Sequence, residues 1–172
     1  GVALNIATVK ISGVDVDASY STDLFGGKFS LRGIATYLDN YTQEARGVAS
    51  VRYDGTGSFP SWRANLQATY TSGGTTVSVQ ERFIGAHRRV IAPITVDQDR
   101  VPEVFYTNLT IRQQFEAGNA KPELFLTVNN LFDRDPPPSD TNNVTLGTSR
   151  QVDPLLYDTV GRYITIGGRI RF

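Results

Sequence analysis

Few residues in this chain could do chemistry, and their spacing disfavours it. His87 is the only histidine. A serine hydrolase built on it would need a sharply turned nucleophile, and no G-x-S-x-G occurs. The plainer reading of His87 is a solvated loop residue. There is no cysteine, so thiolate nucleophiles, disulfides and thiolate metal sites are out of reach. Asp133, Asp135 and Asp140 could offer hard oxygens to calcium. Three prolines, Pro136 to Pro138, stand between them, and the spacing is not that of a calcium-binding loop. The run His87-Arg88-Arg89 could meet an anionic ligand or lipid phosphates, with ordinary exposed loop charge as the simpler reading. Gly26-Gly27 and Gly73-Gly74 suit tight turns rather than phosphate cradles. No constellation here argues for an enzyme, a cofactor or a metal.

The charged residues say more by position than by number. Lys+Arg and Asp+Glu are equal at 17 each, so no basic surface argues for nucleic acid. Asp15, Asp17, Arg32, Arg63, Arg82, Arg112, Glu123, Arg169 and Arg171 all fall out of phase with apolar neighbours. From 62 to 70 the even positions are Trp62, Ala64, Leu66, Ala68 and Tyr70; the odd ones are Arg63, Asn65, Gln67 and Thr69. From 105 to 115 the odd positions are Phe105, Thr107, Leu109, Ile111, Gln113 and Phe115; the even ones are Tyr106, Asn108, Thr110, Arg112 and Gln114. At the end, Ile164, Ile166, Gly168, Ile170 and Phe172 alternate with Thr165, Gly167, Arg169 and Arg171. A period of two is a strand with one apolar and one polar face. Glu81 breaks the pattern of its segment. Near the start, Val9 and Ile11 are out of phase with Val14, Val16, Ala18 and Tyr20, which predicts a one-residue bulge around Ser12-Gly13.

These segments make seven strands, roughly 6–20, 28–38, 62–72, 75–86, 103–116, 122–130 and 161–172. No helical period competes, and no apolar run of 18 residues occurs, which excludes transmembrane helices. Most strands match the ~9–11 residues that a tilted strand needs to cross a bilayer. The connections alternate: short at 21–27, 73–74 and 117–121, long at 39–61, 87–102 and 131–160. Short turns on one side and long loops on the other is the pattern of an outer-membrane β-barrel. The predicted fold is therefore all-β, an antiparallel meander of about seven strands, part of a large transmembrane barrel. Aromatic residues give an independent check. Tyr20, Phe29, Tyr70, Phe115 and Phe172 fall at turn ends of strands, and Tyr37, Trp62, Phe83 and Phe105 at loop ends, all on the apolar face. Two such girdles are expected where rings meet the two membrane interfaces. The opposite face, with Arg32, Arg63, Arg82, Arg112, Arg169 and Arg171, must see water or a polar filling.

At its end the chain resembles a known family. "LFLTVNNLFDRDPPP" followed by "YDTVGRYITIGGRIRF" is similar to the C-terminal end of a TonB-dependent outer-membrane receptor. Asn130, Leu131, Phe132 and Asp133 match the element that ends the family's penultimate strand. Phe172, with Ile170, Ile166 and Tyr163 behind it, resembles the terminal signal read by the barrel-assembly machinery. "SGVDVDASY" (12–20) and "RFIGAHRR" (82–89) are similar to earlier strand elements of the family. The resemblance implies residues 1–172 are the C-terminal portion of the barrel, in the bacterial outer membrane. It implies energised uptake of a scarce ligand such as a siderophore, cobalamin or an oligosaccharide. The implied partners are outer-membrane lipid, a plug domain, the remaining strands and the TonB system. Plugged transporters of this kind have ~22 strands, so seven would be part of a wall. Gly1 at the start and the lack of Met read as a fragment or processed segment. In that membrane the sequons at Asn40, Asn108 and Asn143 are chance matches. A passive porin-like barrel shares the same wall physics, and a soluble β-sandwich binding module is the third reading; it requires the apolar face to be buried in a dry core.

Overall fold

The structure, a computed structural model, describes residues 7–45, 47–89, 97–139, 141–143, 148–150 and 152–171. Seven long strands run in one antiparallel meander: β1 (Ala7–Leu24), β2 (Gly27–Ala45), β3 (Trp62–Ser72), β4 (Thr75–Ile84), β5 (Val104–Gln114), β6 (Lys121–Asn129) and β7 (Tyr163–Arg171). Each pairs with its neighbour in the chain. No helix occurs among the described residues. Such a meander places consecutive connections at opposite ends, so all three short turns share one end and all three long loops the other.

Strands β3 to β7 are 9 to 11 residues long, the length of one tilted crossing. Strands β1 and β2, at 18 and 19 residues, overshoot it. Most of their excess is at the loop end, where 7–12 pairs with 40–45. A register slip lies there, between Ser12 and Gly13, but the extra residue is Asp39 of β2. So β1 itself is not bulged, and Val9 and Ile11 fall on the face of Asp15 and Asp17, not with Val14 and Val16 as expected. A Cβ on Gly13 would collide with the Tyr37 carbonyl, so glycine is required at that close approach. At the other end, Phe25-Gly26 and Gly73-Gly74 have positive φ at both central residues, as right-twisted two-residue hairpins demand.

The apolar face of the sheet is uncovered. Val14, Val16, Leu66, Ile164, Ile166 and Ile170 are all exposed, Ile166 at 79%. A sandwich would have buried them under a second sheet, so that reading fails. Among the described residues, six buried apolar side chains instead cluster at the loop end, Ile84, Val101, Val104, Tyr106, Leu156 and Tyr157, while Val128 is buried apart from them.

Candidate functional site

The pairing registers sort side chains into rows that cross the sheet. On the apolar face one row runs Val16, Ala35, Ala64, Phe83, Phe105, and another runs Tyr20, Leu31, Ala68, Val79, Leu109, Val128, Ile164. Tyr37 meets Trp62 with ring centroids 4.6 Å apart, and Phe83 meets Phe105 at 4.9 Å, at the loop end of the band. Phe29 faces Tyr70 near the turn end, with Tyr20 on the next strand and Phe115 just beyond β5. Phe172 lies outside the described residues. Ile164, Ile166 and Ile170 share the apolar face, but Tyr163 pairs with Asn129 and falls on the other. Phe25 is an aromatic that alternation did not single out; it sits exposed at the tip of the first turn. Glu81 stands on the apolar face between Leu66 and Thr107, whose hydroxyl donates to it at 2.6 Å.

The polar face is tiered. One row carries a hydroxyl on every strand: Ser21, Ser30, Thr69, Ser78, Thr110, Thr127, Thr165. Thr69 and Ser78 bond at 2.9 Å, Thr110 and Thr127 at 3.2 Å. The row above is Ser19, Arg32, Gln67, Gln80, Asn108. All six predicted arginines lie on this face. Arg32 pairs with Asp17 and Arg169 with Glu123, both at 2.7 Å. The Arg82 guanidinium lies 5.0 Å over the Tyr106 ring. Arg63, Arg112 and Arg171 have no ion-pair partner among the described residues. Arg112 and Arg169 line an open depression with Glu123, Phe125 and Thr127.

At the loop end this face is roofed, and His87 is buried rather than solvated. The expectation fails because the last long loop folds down onto the sheet. Leu156 and Tyr157 pack on Ile84, Val104 and Tyr106, whose side chains alternate with the outward rings of Phe83 and Phe105. His87 stacks on Tyr157 with centroids 6.3 Å apart and planes 16° from parallel. Its Nδ1 is 3.1 Å from the Gly85 carbonyl, and its Nε2 is 3.5 Å from the Tyr157 hydroxyl. Burial pushes the His87 pKa down, while the Gly85 carbonyl and the Asp153 charge oppose that. Burial also pushes the Tyr157 phenol well above its ordinary range.

All three long loops meet here. Gly57 donates its N–H to the Arg88 carbonyl at 2.7 Å, and Arg88 donates to the Gly55 carbonyl at 2.8 Å. Ser58 donates its hydroxyl to the buried Asp153 carboxylate, which also accepts the Leu155 N–H at 2.9 Å. The Asp153 N–H donates to the Ser139 hydroxyl at 2.9 Å. This is a clasp and not a catalytic triad: Ser58 bonds the acid directly, and His87 turns to a carbonyl and a phenol. Ser58, Asp153 and Tyr157 left no periodic signal in the sequence, since loops carry none.

Other sequence candidates resolve into local structure. Arg88 pairs with Asp99, so that part of the His87-Arg88-Arg89 run is tied within its own loop. Among the described residues no three acidic or histidine side chains group as a metal site. Asp133 accepts the Arg162 N–H at 2.9 Å, and Asp140 lies outside the described residues. Residues 1–131 match the family model described as TonB dependent receptor-like, beta-barrel. No curated protein matches the chain. The matched span ends at Leu131, and β7 continues the same sheet beyond it by pairing with β6.

Proposed function

The chain belongs to the TonB-dependent receptor β-barrel family, and from that premise we propose that residues 1–172 form the C-terminal part of a barrel wall for energised ligand uptake. The family is one of outer-membrane receptors and transporters, not of enzymes, and its members work with a plug domain, membrane lipid and TonB. The observation that carries the reading is the single sheet with a largely uncovered apolar face, a polar opposite face, and loop residues packed against the polar side. A sheet of this kind is stable where lipid covers one face and closure removes the edges.

On this reading the aromatic residues of the apolar face anchor the wall at the two interfaces. The unpaired Arg63, Arg112 and Arg171 take carboxylates of a plug domain. The strand end at Ile166, Ile170 and Phe172 is the part read by the barrel-assembly machinery; Tyr163, on the polar face, is not in line with it. The ligand is a scarce one of the siderophore, cobalamin or oligosaccharide kind. The test is accumulation of labelled candidates by cells bearing the full-length receptor, with and without TonB. Accumulation above the external concentration that needs TonB supports the proposal. Equilibration that ignores TonB makes the barrel a passive pore.

A further inference from the structure

The last hairpin has a register problem. Strands β6 and β7 are joined by the loop 130–162, and closure of so long a loop depends only weakly on its length, so the turn does not set the pairing. A one-residue slip would turn Ile164, Ile166 and Ile170 to the polar face and is excluded. A two-residue slip keeps every side chain on its own face. The alternation that makes β7 a strand is blind to that error.

Three contacts are not blind to it. At the loop end, Asp133 (φ 52) accepts the N–H of Arg162, the residue before β7, at 2.9 Å, and lies 3.8 Å from its guanidinium. Asp133 is held in turn by Asn130 (φ 50), which is 1% exposed. The Asn130 side chain accepts the Arg134 N–H at 2.8 Å and donates to the Arg134 carbonyl at 3.0 Å. The Asn130 N–H donates to the Asn108 side chain of β5 at 2.9 Å, and the Leu131 N–H to the Thr107 carbonyl at 2.7 Å. In mid-strand, the Phe125 ring lies over Gly167 so closely that a Cβ there would overlap it. Near the turn end, Arg169 pairs with Glu123.

A slip of two would set Phe125 against Thr165 or Arg169, and no ring could then lie on that backbone. The Glu123 pair is weaker evidence, since a slip in one direction offers it Arg171 instead. We propose that Asn130, Asp133 and the Phe125–Gly167 pair set the register of the last strand. They are positioning residues for assembly of the sheet edge, not ligand contacts.

The chain has no cysteine of its own, which makes the register measurable by cross-linking. In the full-length receptor, cleared of any other cysteine, Leu126→Cys with Ile166→Cys reports the observed pairing. Leu126→Cys with Ile164→Cys, or with Gly168→Cys, reports the two slips. With the chain otherwise unaltered, only the first pair should cross-link. Adding Asp133→Ala and Phe125→Leu should cut that product several-fold and raise one slipped product. Asp133→Asn, which keeps the acceptor, should restore the observed pairing. Observed-register product at its full level in the altered receptor overturns the proposal. So does reduced assembly with no slipped product, because a merely structural role predicts that pattern. The cross-links need only a paired sheet, so they stand apart from the uptake test.

Discussion

On β4 and β5, Ile84, Val104 and Tyr106 lie buried beneath Leu156 and Tyr157, whereas Val79 and Ile111 of the same strands point to the opposite side and nothing covers them. One pair of strands thus carries two cores. The loop end is an ordinary protein interior, closed by the chain itself. The strand band borrows its interior from the surroundings, and lipid must supply it. The difference predicts that the two regions fail independently. Damage at the loop end should open the loops and leave the barrel standing; damage to the apolar face should stop assembly.

The largest effect belongs to the clasp. Truncating a buried aromatic costs about 3–5 kcal/mol. Tyr157→Ala should therefore release the last loop, seen as fast proteolysis within 131–160 on intact cells. The heat-modifiable fraction on gels should stay near wild type. If that fraction collapses as well, the two regions are one cooperative unit and the comparison breaks.

Next comes the apolar face. An Arg near the bilayer midplane costs about 2–4 kcal/mol in a barrel of this class. Leu126→Arg should cut the assembled fraction at least several-fold, while Thr127→Arg, one residue along and on the polar face, should change it little. Equal losses in both would mean that lipid does not cover the Leu126 side.

The two regions also differed in how far they could be read in advance. Period two, with rows such as Trp62, Ala64, Leu66 and Ala68, is enforced along the whole strand by a face that must be all apolar. It therefore exposes strands, faces and six polar-face arginines at once. The broken phase near Ser12-Gly13 predicted a bulge in β1, yet β1 keeps its alternation and the extra residue is Asp39 of β2, so Val9 and Ile11 stay on the face of Asp15 and Asp17. The clasp was invisible. His87 meets Tyr157 70 residues away, and Ser58 meets Asp153 at a separation of 95. No local pattern encodes contacts of that range. The Asn130–Asp133 element stood out only by resemblance; its positive φ values and backbone-directed side chains explain why Asn and Asp suit it, since both tolerate that conformation.

A smaller effect should come from acid. The folded loop holds His87 with a lowered pKa, so the open loop binds more protons as pH falls. Closure is then fully favoured above the unperturbed histidine value of ~6.5 and weakens below it, by at most about 1.4 kcal/mol per pH unit for one proton. Proteolysis within 131–160 should speed up between neutral and mildly acidic pH, and His87→Phe should flatten that dependence. An unchanged slope in His87→Phe would place the titrating group elsewhere in the loops.

The smallest effect concerns the residue that breaks the rule of its face. Glu81 lies in the apolar row of Ala18, Gly33 and Leu66, yet it is only two residues from the ring pair Phe83–Phe105 at the loop end of the band. At a tilt of about 45° and a rise of ~3.4 Å per residue, that depth is roughly 5 Å inside the aromatic level. Charge near an interface costs about 0–1 kcal/mol, and acids cost less than bases. The Thr107 hydroxyl already satisfies one oxygen at 2.6 Å. Glu81→Leu should therefore raise stability in a urea titration by at most about 1 kcal/mol. Val79→Glu, moving the same group two residues deeper, should cost more than Glu81→Leu gains. That inequality is the test of depth. If both substitutions shift the midpoint equally, the face has no gradient at this height, and the band must be placed differently on the strands.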